Sequence, residues 1–139
     1  MTIQPQTAVL IGILLLALVT VESGGYFMTR VVRRKVPANA LQVSFFRAGH
    51  AHAGVLLVLS IAILSVIDFA QLDGLWGFAA RTLVPIAAIL MPAGFFLSVL
   101  GRDPQQPNRL IALLWIGAAS LTAGLIAAGV GMLAAGLAA

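Results

Sequence analysis

Apolar residues fill four long stretches of this chain, and the polar residues gather in the short segments between them. The apolar stretches cover about residues 8–29, 45–67, 82–100 and 110–135. Each is close to the roughly 20 residues that a helix needs to cross the hydrocarbon of a bilayer. The first contains one acid, Glu22, and the second holds Arg47, His50 and His52 near its start. The third and fourth carry no charge. Between them lie segments with turn chemistry: Arg30 to Pro37, Asp68 to Trp76, and Gly101 to Asn108. Asn108, just before the last apolar run, is a suitable helix N-cap. The pattern predicts an all-α fold, an integral membrane four-helix bundle forming one transmembrane domain over residues 1–139.

Composition strengthens this expectation. Of the 139 residues, 61% are hydrophobic and 9% charged, and the mean hydropathy is +1.08. A soluble domain carries about a quarter charged residues, so a water-soluble fold is excluded. The net charge of +4 does not indicate nucleic acid, because the basic residues sit beside apolar spans. There they act as topology signals and contacts for anionic lipid. No cysteine is present, which excludes disulfides, thiolate metal sites and iron–sulfur clusters. The first apolar run has no basic segment before it, and Thr20-Val21-Glu22-Ser23 follows it in place of a small-x-small cleavage site. It reads as a retained helix.

The lysines and arginines orient the bundle. Arg30, Arg33, Arg34, Lys35, Arg47, Arg102 and Arg109 all fall on the side of the first and third connections, and only Arg81 falls on the other. The positive-inside bias then predicts both termini outside and those two connections in the cytoplasm. The expected location is the bacterial cytoplasmic membrane, with Tyr26 and Trp76 as interfacial anchors.

Small residues recur where helices must approach closely in lipid. In the last span, Gly117, Gly124 and Gly131 repeat every seventh residue, and Ser120, Gly124 and Ala128 form a small-xxx-small ridge. Gly49 and Gly54 open the second span in a similar way. These ridges suit packing within one bundle, or a subunit interface. Pro85 and Pro92 lie on roughly one face of the third span, where each removes a backbone hydrogen bond.

Ionisable side chains within a span default to a functional-site hypothesis. Glu22, His50 and His52 all fall roughly 10 Å below the cytoplasmic surface at 1.5 Å per residue. Antiparallel neighbours can bring Glu22 against a histidine or against Arg47. His50 and His52 are two residues apart, so they point about 200° away from each other and cannot both bind one metal on a regular helix. Three ligand arrangements stay open: one histidine with Glu22, one histidine with Met28 or Met91, or histidines shared between subunits. A Glu–His pair also suits a proton relay. The simpler alternative is a structural layer, with one histidine bonded to Glu22, the other reaching a backbone carbonyl or the interface, and Arg47 snorkelling to the headgroups. Haem or metal is open without being the leading expectation. No catalytic residue is assigned. The six serines form no Ser–His–Asp arrangement that this topology can assemble, and Asp68 and Asp73 read as a solvated outer turn.

The run Phe46-Arg47-Ala48-Gly49-His50-Ala51-His52-Ala53-Gly54-Val55-Leu56 resembles a signature of small four-helix membrane proteins of actinobacteria. Pro107-Asn108-Arg109-Leu110-Ile111 is similar to the start of their last helix. That resemblance implies a fold but no activity. The H-x-H start is also distantly similar to subunit I-like proteins of haem–copper oxidases, which use more histidines than the two present here. The leading expectation is an accessory or structural subunit of a homo-oligomer or larger membrane complex, with the lipid bilayer and other subunits or copies of itself as partners and no nucleic acid. The alternatives are a redox or proton-coupled protein contacting haem, metal or quinone through its Glu/His layer, and a small oligomeric transporter.

Overall fold

The computed structural model describes residues 3–138. Four helices follow one another: α1 (Pro5–Val32), α2 (Ala40–Phe69), α3 (Gly74–Ser98) and α4 (Ala112–Leu137), the last preceded by a 3-10 turn over Arg109–Ile111. Each of the four, the last counted from the 3-10 turn, is long and apolar enough to cross a membrane. Val9, Leu16, Val55, Ile89, Trp115 and Leu133 are exposed on their outer faces. Such a surface is unfavourable in water and matched to hydrocarbon. The chain is a multi-pass helical membrane protein.

Every predicted span is present, but the first three helices are longer than their apolar stretches. Hydropathy marks the part in hydrocarbon, while helix ends are set by caps. α1 starts with Pro5 in its first turn, where the missing N–H costs nothing. α2 starts at a capping box: the Asn39 side chain accepts from Gln42 N, and the Gln42 side chain accepts from Asn39 N. The largest difference is in α3, which begins at Gly74 instead of about Thr82. Gly74 to Trp76 fall in the segment that reads as a turn and Gly77 to Arg81 precede the apolar stretch, yet together they form the helix's first two turns. The second connection is therefore only Ala70 to Asp73.

Arg34 and Gln71 terminate α1 and α2 in left-handed conformations, with φ of 55° and 51°. At each, paired backbone bonds close the helix: Lys35 N to Arg30 O and Arg34 N to Val31 O, then Leu72 N to Ile67 O and Gln71 N to Asp68 O. This is the Schellman arrangement, in which glycine is the usual terminator.

Chain neighbours are packing neighbours. α3 packs most extensively on α4 and next on α2, and among the described residues α1 packs extensively against α2 alone. The predicted glycine heptad packs α4 against α3 and, at Gly131, against Leu72 of the second connection. A Cβ on Gly117 would lie 2.6 Å from Met91 Cγ, one on Gly124 2.7 Å from Val84 Cγ2, and one on Gly131 2.5 Å from Leu72 Cδ2. Ser120 Oγ donates to Leu83 O at 2.8 Å, and Ala128 is buried. Gly49 admits Phe95 and Phe96 of α3 against α2, whereas Gly54 makes only ordinary contact with Val21. α3 runs unbroken through Pro85 and Pro92.

The first and third connections lie at one end and are tied together. Asn39 Nδ2 donates to Asp103 Oδ1 and Pro104 O, and Gln42 Nε2 donates to Val99 O and Gly101 O. The two basic connections therefore share one side of the membrane.

Candidate functional site

The α1–α2 hairpin brings the predicted polar layer to one depth but separates its members by direction. His50 faces α1. Its ring rests on Gly24 and Gly25, whose added Cβ atoms would lie 3.4 Å from Nδ1 and 3.7 Å from Cε1. This glycine doublet, which makes room for an imidazole against the α1 backbone, is an unpredicted part of the site. Its sequence signal is the adjacent Gly-Gly pair within the first span. His50 has no hydrogen-bond partner among the described residues.

His52 faces α3. Its Nδ1 donates to Ala48 O at 2.8 Å, and its ring meets Phe95 with centroids 4.9 Å apart. Because a carbonyl only accepts, Nδ1 is the donor in this bond. The two rings diverge as their spacing requires, and His52 matches the structural alternative of a bond to a backbone carbonyl.

Glu22 is exposed and, among the described residues, forms no ion pair or side-chain hydrogen bond, with the histidines and Arg47 included. Val21 faces α2 next to Gly54, and Glu22 is turned about 100° further round the helix. Shared depth is a matter of residue count, whereas contact depends on helix rotation.

The two methionines also separate. Met91 lies in the core between α2, α3 and α4, against Gly117. Met28 belongs to a second cluster with Val31, Phe46 and Val99, and it lines a groove of about 400 Å³ with Thr29, Val32, Arg33, Arg47 and His50. Of the predicted candidates, His50, Arg47 and Met28 thus share one groove, and His52, Glu22 and Met91 lie elsewhere. Among the described residues, no three His, Asp or Glu side chains converge as a metal site.

A second polar centre lies at the opposite end. The expectation of a solvated turn at Asp68 is overturned: Asp68 is buried. Gln4 N donates to its Oδ2 at 2.6 Å and Thr7 Oγ1 to its Oδ1 at 3.0 Å. The Arg81 guanidinium reaches Oδ1 at 3.4 Å and Asp73 at 4.0 Å, with Asp73 largely exposed. Gly77 leaves space for that guanidinium, since a Cβ there would lie 2.8 Å from Arg81 Nη1. Composition cannot separate such a buried acid from a loop acid. The pairing of a lone outer arginine with an acid across a short turn is the only hint. This centre joins α1, α2 and α3 and has the character of a structural clamp.

Comparison with protein-family models, curated proteins and solved structures finds no match to this chain.

Proposed function

We propose that this chain is an accessory subunit without catalysis of its own, held through α1 in a homo-oligomer or larger assembly of the bacterial cytoplasmic membrane. Its termini face outward and its two basic connections face the cytoplasm. The observation that carries this reading is the bareness of α1. Only 6% of its most apolar stretch is buried within the chain, against 39% in α3. Helices in lipid gain no hydrophobic drive to associate and depend on close packing. α1 is tied to the Asp68 centre at one end and rests on His50 towards the other, which leaves a full face for another helix. Gly12, with open space around it, lies on that helix.

A photoreactive phenylalanine in place of Leu16 tests this reading in native membranes, with Trp115 on α4 as the control. A discrete crosslinked product from position 16, and none from 115, is expected. Position 16 reacting only with lipid, as the control does, overturns the reading. Because the chain lacks cysteine, single cysteines at Gln71 and Gln105 report orientation. An impermeant maleimide should label intact cells at 71, and at 105 only after lysis.

One observation favours a second reading, a redox protein that contacts haem: Met28 and His50 line the same groove beside Arg33 and Arg47. Visible absorption of the purified protein, before and after reduction, tests it. A Soret band lost in both Met28→Ala and His50→Ala supports this alternative, and a colourless protein removes it.

A further inference from the structure

At the basic end of the α1–α2 hairpin, a groove of about 840 Å³ has Arg34 and Arg47 on its rim and Val31, Val32 and Val43 in its wall. Across Val32 and Arg47 it adjoins the smaller groove that holds Arg33, Met28 and His50. Arg47 is central to both. It lies seven residues into α2 but only two into the apolar stretch that starts near residue 45. It is exposed at the edge of the hydrocarbon, where a guanidinium takes a counter-charge from lipid or protein. Neither ion pair among the described residues supplies one, because both belong to Arg81 at the other end. No acid lines either groove. His50 adds a ring that has no hydrogen-bond partner among the described residues.

We propose that this double groove binds one anionic diacyl phospholipid. Arg34 and Arg47, with Arg33 and His50 beside them, hold the phosphate, and the acyl chains lie along the apolar wall of α1 and α2. Guanidinium groups match phosphate oxygens in geometry as well as charge. The valine wall and the position on the hairpin's lipid-facing surface select an amphiphile over a free anion. The cytoplasmic leaflet, where the charge pattern places this end, is the anionic one. The site is independent of whether the chain is an accessory subunit.

Native mass spectrometry of the full chain in uncharged detergent tests the proposal, with phosphatidylglycerol and phosphatidylcholine of matched chains. One phosphatidylglycerol per chain should be retained in preference to phosphatidylcholine. Arg47→Gln and Arg34→Gly should each weaken it about tenfold, from the loss of one charged phosphate contact. Arg102→Gln and Arg109→Gln, equally basic but outside the groove, should leave it within roughly twofold, as expected for screened charges at a distance. Arg34→Gly also places glycine at a left-handed position that favours it, so its effect is not a failure to fold. Equal retention of the two lipids overturns the proposal. So does an equal loss in all four variants, which would mean diffuse surface charge. Complete displacement by millimolar inorganic phosphate would make this a free-anion site and overturns it too.

Discussion

Asp68→Ala should destabilise the protein by about 3 kcal/mol, the lower end of the loss expected when one partner of a buried pair is removed. The Arg81 side chain is 13% exposed and that of Asp68 3%, so the guanidinium would stay largely buried with only the distant, solvated Asp73 near it. Arg81 Nε already lacks a partner among the described residues. Gln4 N and Thr7 Oγ1 would lose their acceptor as well, freeing the outer end of α1. Unfolding of the detergent-solubilised protein measures the loss, and hydrogen exchange at the first turn of α1 should rise with it. A double variant, Asp68→Leu with Arg81→Met, should recover most of the stability because neither charge is left alone. A loss for Asp68→Ala under about 0.5 kcal/mol would place the pair with ordinary surface salt bridges and remove the clamp from the account of how α1 is held.

The second large effect is expected at Gly94, a position the predicted glycine heptad does not include. It lies where the start of α4 crosses α3. An added Cβ would be 2.7 Å from Leu114 Cβ and 2.8 Å from its Cα, and it would collide with the Leu114 backbone nitrogen. Main chain cannot swing aside as a flexible side chain does, so Gly94→Ala must separate the helices. The expected loss is about 1–3 kcal/mol, typical of overpacking. Gly129 on α4 has nothing within 4 Å, so Gly129→Ala should be neutral or slightly stabilising through better helix propensity. Thermal midpoints of the two variants against wild type decide the matter. Equal shifts would mean that helix propensity, not the seam, governs glycine here.

These two positions show which information the chain carries in its order of residues. The glycine heptad of α4 was legible because a helix repeats its faces at a regular interval, so spacing alone puts Gly117, Gly124 and Gly131 on one side. Gly94 was not legible. Its need for a bare Cα comes from Leu114, 20 positions along the chain and on another helix. Asp68 shows the same limit: beside Asp73 in a polar segment it reads as a loop acid, and only the return of α1 over it makes it buried. Asn39 and Gln42 were open to reading, since an Asn followed three residues later by Gln before an apolar run is a capping signature.

The site divides along the same line. Sequence by itself determined the four spans, the shared depth of Glu22, His50 and His52, and the divergence of the two histidines. All of these follow from the fixed rise and rotation of an α-helix and from the mismatch of charge with hydrocarbon. Tertiary structure decided which helix each side chain meets. It turned Glu22 away from the histidines, set His50 on Gly24 and Gly25, placed Met28 in the groove with Arg47, and buried Met91 against Gly117. Those outcomes depend on how each helix is rotated about its axis. That rotation is settled by the fit of side chains from segments far apart in the chain, a property no single segment contains.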